Sequence, residues 1–178
     1  PDYSVYDDQW FLNEAWACWV VYSRKYLRAL KSILDTFGDI RNVADLGCGC
    51  GYSTAALKEL FPSVDAYGTN VINSVQFKVA KEVGSERDFV MYGQIQPKTD
   101  LIFASEYFEH FERPIEHLLD IIRIGSPKYL IVANSFSSIS IGHFREYVDN
   151  RDVWQGKLRM RSDVKVPNTQ IGRLFNGY

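Results

Sequence analysis

The chain has 178 residues and a formal net charge of −2, with 46% hydrophobic and 24% charged residues. This length and composition fit one globular domain, and the near-neutral charge excludes a general attraction to nucleic acid or acidic lipid. Three cysteines, two of them separated by one glycine, exclude a disulfide framework, and no apolar run is long enough to span a bilayer. We therefore expect a cytoplasmic protein with no membrane partner.

The first predicted element is an N-terminal helical extension over residues 1–38. Apolar residues recur at helical spacing from residue 10 to residue 37, and Gly38 is a reasonable end. Trp16 and Trp19 belong to this stripe, so they are expected to pack into the core. The aromatic residues that precede the stripe are candidates for a lid over a site: Tyr3, Tyr6 and Trp10.

Residues 39–147 alternate short apolar runs with segments of helical length. The predicted strands are "NVADL" (42–46), "VDAYGT" (64–69), "DFVMY" (88–92), "DLIFAS" (100–105) and "KYLIVANS" (128–135). The segments 54–61, 73–84 and 114–125 are predicted helices. This pattern is typical of an α/β fold with a doubly wound, mostly parallel sheet that carries helices on both faces.

The C-terminal region, residues 148–178, is basic and less regular. From Arg145 to the end there are seven Lys and Arg residues against four Asp and Glu residues. The stretch "NTQIGRLFNGY" is predicted as a short helix that runs into the start of a strand. Since an α/β sheet of this kind needs that strand, we expect C-terminal strands to be missing from the chain.

The most informative stretch is "VADLGCGCGYST", residues 43–54, which has the order strand, glycine turn, helix. It lacks the Gly-Lys-Ser/Thr ending of a P-loop, and its G-x-G-x-G spacing differs from the dinucleotide fingerprint G-x-G-x-x-G. With Asp45 two residues ahead of the first glycine, it resembles the first motif of class I S-adenosylmethionine (SAM) dependent methyltransferases. The resemblance implies cofactor contacts from five residues: Asp45, Gly47, Cys48, Gly49 and Gly51.

Later segments resemble the same family in the expected order, from Val43 to Tyr147. Asn70 stands where the family has an acid for the ribose hydroxyls, and Gln94 where it has a polar residue for the adenine. The segment "DLIFASEYFEHFERP" resembles the family's fourth strand, which implies that Ser105, Glu106 and Tyr107 line the cofactor crevice. The resemblance implies one Rossmann-like, SAM-binding domain over residues 1–178.

Four side chains follow the predicted fourth and fifth strands and are candidates for chemistry: Glu106, Glu109, His110 and His143. The E-x-x-E-H pattern with a later His resembles the ubiquinone-type O-methyltransferases and the small-RNA 3′-end 2′-O-methyltransferases. In those subfamilies it holds a divalent metal, here Mg, Mn or Zn, that lowers the pKa of the acceptor hydroxyls. The alternative is a metal-free site in which His110 or His143 is the general base and Glu106 assists.

The resemblance implies transfer of a methyl group from SAM to O or N of a small-molecule or nucleotide-like acceptor. Two alternatives stay open at the level of sequence. One is a nucleic-acid (RNA or DNA) methyltransferase, because of the basic C-terminal region and the aromatic N-terminal region. The other is a non-catalytic SAM-binding sensor or activator subunit, because Asn70 and Gln94 carry no charge.

Overall fold

The computed structural model describes residues 39–133 without a gap. Outside that range it describes residues 4–10, 12–13, 16–17, 27, 31, 35 and 144, and only the backbone of 160–161 and 172–176. Tyr3, Trp19 and His143, for which the sequence makes predictions, lie outside the described residues.

From residue 42 onward, the described part of the chain contains seven strands and three helices. They are β1 (Asn42–Leu46), α1 (Tyr52–Leu60), β2 (Asp65–Thr69), α2 (Val75–Arg87), β3 (Val90–Tyr92), β4 (Leu101–Ser105), α3 (Pro114–Gly125), β5 (Tyr129–Ala133), β6 (Met160–Arg161) and β7 (Gly172–Asn176). Short 3-10 helices cover Ser4–Asp7 and Phe108–His110. The five strands and three helices predicted between residues 42 and 135 are confirmed.

The strands form one sheet in the order β3-β2-β1-β4-β5-β7-β6. The first five strands pair in parallel, and β7 runs antiparallel to both of its neighbours. The order of the chain reverses between β1 and β4, and open α/β sheets bind ligands in the crevice beyond the carboxyl ends of strands at such a point. The predicted α/β class with a mostly parallel sheet is confirmed.

The expectation that C-terminal strands are missing was wrong. Both β6 and β7 lie within the chain, and β7 pairs with β5 from Gly172 to Asn176. Within the segment predicted as a short helix, residues 172–176 are therefore a strand. Its local pattern favoured a helix, but the open edge of β5 satisfies its backbone groups, and this pairing is not visible in local sequence.

The core lies on both faces of the sheet, and β4 is buried at every position. Leu101 and Phe103 pack with Leu57 of α1 on one face. Ile102 and Ala104 pack with Leu118 and Ile121 of α3 on the other. The alternation of side chains along a strand therefore divides β4 between two apolar clusters, which confirms helices on both faces.

The described residues of the N-terminal region are consistent with the predicted helix. Asp8 begins it, because its side-chain Oδ1 accepts a hydrogen bond from the Trp10 N–H (2.7 Å) and its carbonyl accepts one from the Leu12 N–H (3.0 Å). The expectation that Trp16 packs into the core was wrong, since 53% of its surface is exposed. Periodicity marks a stripe on a helix but cannot show which neighbour covers each part of it. The division at residues 38 and 147 stays a prediction.

None of the helices in the described part of the chain has the length and apolar character needed to cross a membrane.

Candidate functional site

The glycine loop connects the carboxyl end of β1 to the start of α1. Gly47, Gly49 and Gly51 have φ angles of 63°, 55° and 84°, in the left-handed region. A side chain is strained in that region, so the turn requires glycine at these positions. The loop therefore presents bare backbone at the edge of the sheet where β1, β2 and β4 end.

Asp45, near the end of β1, is hydrogen-bonded to the helix that follows the loop. Its carboxylate is buried and its Oδ2 accepts hydrogen bonds from the Ser53 hydroxyl (2.5 Å) and the Thr54 hydroxyl (2.7 Å) in the first turn of α1. Burial raises the pKa of Asp45 to about 7, although both hydroxyl hydrogen bonds act to lower it. The side chain thus links the end of β1 to the start of α1.

Thr69, the last residue of β2, holds the other side of the loop. Its carbonyl accepts a hydrogen bond from the Cys48 N–H (3.1 Å), and its hydroxyl accepts one from the Gly47 N–H (3.4 Å). The Cys48 thiol is buried 3.7 Å from the Met91 sulfur. Burial, with the Asp45 charge beside it, raises the pKa of Cys48, so the thiol is neutral. Cys48 therefore packs beneath the loop with its side chain.

Asn70 follows Thr69 and binds the loop as well. Its amide Nδ2 donates to the Gly49 carbonyl (3.1 Å) and to the Gln76 Oε1 (3.3 Å), and its Oδ1 accepts from the Val71 N–H (2.8 Å). The glycine loop, the end of β2 and the first turns of α2 are joined through this one side chain. Sequence reasoning missed Thr69 and Gln76; the position of Thr69 directly before Asn70 was the available signal.

Gln94 is exposed beyond the end of β3, and its carbonyl accepts a hydrogen bond from the Gln96 side chain (2.9 Å). Two apolar residues that sequence reasoning missed directly follow Asn70, which bonds to the loop. Val71 is 72% and Ile72 58% exposed, and Ile72 packs against Gly93. Exposed apolar side chains directly after a strand end are the kind of surface on which a flat ring binds.

The end of β4 forms the opposite wall. Ser105 is buried, and its hydroxyl has no hydrogen-bond partner among the residues that the structure describes. Glu106 is exposed and has a φ of 50°, a strained conformation for a residue with a side chain. The Tyr107 ring lies against Gly47: a Cβ at Gly47 would overlap the ring's Cδ2 and lie 3.0 Å from its Cε2. The structure thus brings Gly47, directly after β1, into contact with Tyr107, two residues after β4.

The four candidates for chemistry differ in their surroundings. Glu109 is buried and Glu106 exposed, while His110 is half-buried with the Tyr6 ring edge-on at 6.0 Å between centroids. Across the residues described, no group of three or more His, Cys, Asp or Glu side chains could hold a metal ion. The Phe144 N–H donates to the Glu109 carbonyl (3.2 Å), so the backbone next to His143 reaches this wall. The catalytic and metal assignments stay predictions.

Comparison with known proteins gives similarity in structure only. No protein-family model matches the chain, and no curated protein matches it. The PH0226 protein of Pyrococcus horikoshii OT3 has a TM-score of 0.61 and 14% identity, covering 87% of this chain and 91% of its own. A SAM-dependent methyltransferase of Aquifex aeolicus has a TM-score of 0.56 and 17% identity, covering 83% and 90%. The fibrillarin/Nop5p complex has a TM-score of 0.58 and 16% identity, covering 89% and 82%.

Other matched chains are considerably longer than this one. The chain spans 57% of a Haloferax volcanii chain solved in complex with the Trm112 methyltransferase activator (TM-score 0.50, 20% identity), and 53% of the N-terminal domain of EvdMO1 with SAH bound (TM-score 0.51, 15% identity). At these identities the likeness establishes architecture. The chain has the fold of the SAM-dependent methyltransferase structures.

Proposed function

We propose that this protein is a SAM-dependent methyltransferase that transfers a methyl group to O or N of a small-molecule or nucleotide-like acceptor. The observation that carries the proposal is the glycine loop, whose three left-handed glycines lie at the switch point between β1 and β4. Loops of this kind let a ligand approach the backbone closely. The structure of EvdMO1 with SAH bound, which has the same fold, supports the choice of ligand. The predicted cytoplasmic location is part of this proposal.

The residues around the loop fit such a ligand. Gly47, Gly49 and Gly51 offer backbone, and Asn70 lies in contact with Gly49 where a ribose hydroxyl would be bound. Val71 and Ile72 offer exposed apolar surface to an adenine. We assign the remaining contacts to the predicted residues: Asp45, Cys48, Gln94, Ser105, Glu106 and Tyr107. The first two act through the loop that they hold, because their side chains are buried.

SAM supplies a methyl group on a positively charged sulfur, so the protein must orient the acceptor and accept its proton. We assign proton removal to His110 or His143, with Glu106, four residues before His110 in the chain, as the assisting carboxylate. His110 is the better-supported choice, because it is half-exposed beside Tyr6, whose ring flanks it from the N-terminal region. Tyr6 also lends support to the predicted lid.

A metal fits less well than a metal-free site. Glu109 and Glu106 differ sharply in burial, and the described part of the chain holds no cluster of ligating side chains. A site built from Glu106, Glu109, His110 and His143 would need the Glu109 carboxylate to leave the core. We therefore assign no step to a metal.

Non-catalytic SAM binding is a second candidate function. It is favoured by Asn70, which is neutral and uses its amide to hold the loop, and by Gln94, which is exposed. Neither residue offers the charge that the family's acids supply.

A nucleic-acid acceptor is favoured by the basic residues after residue 145, which are a property of the sequence alone.

Calorimetric titration of the protein with SAM and with SAH tests the proposal. We expect both to bind, and we expect labelled methyl transfer from SAM to fractions of small metabolites, with RNA and DNA fractions as parallel samples. His110→Ala is the matched variant: binding should persist, whereas transfer should fall about 100-fold or more, the usual contribution of a general base. Binding without transfer to any fraction would identify the non-catalytic module. Absence of binding to SAM and SAH would refute the proposal.

Asn70→Asp tests whether the missing acid weakens this site. The change places an acid at the ribose position, but it removes the donor to the Gly49 carbonyl and sets a negative charge beside two oxygen acceptors. We expect the free energy of unfolding to fall by about 1–2 kcal/mol and SAH affinity to fall as well. Asn70→Ala is the control without charge and should lie between the wild type and Asn70→Asp. Tighter SAH binding by Asn70→Asp, measured by the same titration, would show that the loop contact is dispensable.

A further inference from the structure

The Tyr107 ring fills the space where any side chain at residue 47 would lie, so this packing requires glycine at that position. The ring lies against Gly47, so the first glycine of the loop and the residue two positions after β4 fit each other. Phe108 and Phe111 surround the ring, with centroids 5.0 Å and 4.8 Å away. The ring therefore forms the contact between the wall after β4 and the glycine loop.

The Tyr107 hydroxyl is anchored on α3. It forms a hydrogen bond of 2.9 Å with Nε2 of His117, and the His117 ring stacks on Phe111 at 3.9 Å. Burial raises the pKa of Tyr107, and burial lowers the pKa of His117 against the opposing charge of Asp120. Both groups are therefore neutral near pH 7, and the bond joins two uncharged partners.

We infer that His117 is a positioning residue for the ligand of the glycine loop: by holding the Tyr107 hydroxyl, it keeps the ring against Gly47. This inference rests on the proposed function, since it takes SAM or SAH as the ligand. Without this hydrogen bond, the ring loses the contact that ties its hydroxyl to α3, so its side-chain torsions are less tightly fixed. Any such movement of the ring changes the surface next to the glycine loop, because Gly47 has no side chain that would hold the ring in place. His117 itself lies on α3, outside every motif that the sequence brought to attention.

The test uses two single variants and their combination in the full chain. Tyr107→Phe keeps the ring and removes the hydroxyl; His117→Phe keeps an aromatic ring beside Phe111 and removes the partner nitrogen. We expect each to weaken SAH binding about fivefold, as for loss of one neutral hydrogen bond. We expect the double variant to bind no more weakly than the weaker single variant, because both changes remove the same bond. His117→Gln, whose amide can still bond to the hydroxyl, should recover part of the affinity. His117→Leu, which also removes the partner nitrogen, replaces His117→Phe if that variant does not fold.

Tyr67→Phe is the matched control. The Tyr67 hydroxyl is also buried; it bonds to the Thr99 hydroxyl at 2.6 Å and accepts a hydrogen bond from the Gln96 N–H at 3.0 Å. We expect this change to lower stability to urea at least as much as Tyr107→Phe does, with the SAH dissociation constant changed less than twofold. A merely structural role for His117 would make its variants behave like this control.

The outcomes separate the inference from the function on which it rests. If the wild type binds SAH and the Tyr107 and His117 variants bind it equally well, the inference is overturned and the proposed function stands. The inference would also be overturned if the double variant weakened SAH binding by the product of the two single effects, because the two changes would then act independently. If the wild type binds neither SAM nor SAH, both fall together.

Discussion

Replacing Gly47 by alanine is expected to lower the free energy of unfolding by about 2–5 kcal/mol and to abolish SAH binding. Two costs add at this position. The φ of 63° strains any side chain by about 1–2 kcal/mol, and the new Cβ would overlap the Tyr107 ring, which costs about 1–3 kcal/mol where a packed region cannot adjust. Urea denaturation and SAH titration measure the two effects.

Gly49→Ala is the matched control for this prediction. Its φ of 55° carries the same backbone strain, but the nearest atom to a new Cβ is Gln76 Oε1 at 4.0 Å. We expect a loss of about 1–2 kcal/mol, from strain alone. In the Tyr107→Ala background the overlap is absent, so adding Gly47→Ala should cost a similar amount relative to Tyr107→Ala alone. An equal effect of the two glycine variants would contradict the role assigned to Tyr107.

The glycine loop could be predicted from the sequence because its requirements are local. Gly47, Gly49 and Gly51 all have a left-handed φ, which favours glycine. The residue type alone therefore indicates the backbone conformation at these positions. The first five strands could be predicted for a similar reason. Each is a short apolar run, and β4 is buried on both faces, although β3 is largely exposed. Such runs contrast clearly with the helices between them.

The end of the sheet could not be predicted in the same way. The segment Gly172–Asn176 becomes a strand because β5 offers an unpaired edge, and that edge exists only after the sheet has formed. Trp16 shows the same limit for a helix. Its spacing placed it in an apolar stripe, but its exposure depends on the elements that surround the N-terminal region.

The contacts of individual side chains at the site could not be predicted from the sequence either. Asn70 holds the position expected for a ribose contact, yet its amide also bonds to Gly49 and Gln76, and this depends on where α2 begins. Tyr107 and His117 are ten residues apart and meet only because α3 folds back over the sheet. Hydrogen bonds between side chains on different elements leave no periodic signal in the chain.

The Asp45 carboxyl is expected to make the protein less stable as the pH rises from about 4 to about 7. Its pKa is about 7 in the folded state, against an ordinary value of 3.8, so between these values the folded state holds a proton that the unfolded state has lost. The free energy of unfolding then falls with rising pH. A difference of about 3 units corresponds to about 4 kcal/mol at full effect, a large part of the stability of an ordinary domain.

Asp45→Asn removes this titration and keeps an oxygen that can accept from the Ser53 and Thr54 hydroxyls. We expect the variant and the wild type to be similar in stability near pH 4, and the variant to be more stable at pH 8 by up to about 4 kcal/mol. Urea denaturation at pH 4.5, 6 and 8 measures the difference. A difference that does not grow with pH would show that the Asp45 carboxyl does not titrate in this range.

Asp100→Asn is the control, because the pKa of Asp100 is shifted in the opposite direction to that of Asp45. Burial acts to raise the pKa of Asp100, but the Lys128 ammonium (2.9 Å) and the Arg41 N–H (2.8 Å) outweigh it, so this pKa is lowered. Its stabilising contribution is present above the ordinary pKa of 3.8 and is lost as the pH falls below that value. Asp100→Asn should therefore be less stable than the wild type at pH 8, where Asp45→Asn is more stable. The two carboxyls belong to the same chain, one within β1 and one directly before β4, so opposite pH trends would come from the local surroundings of each group and not from the net charge of the chain.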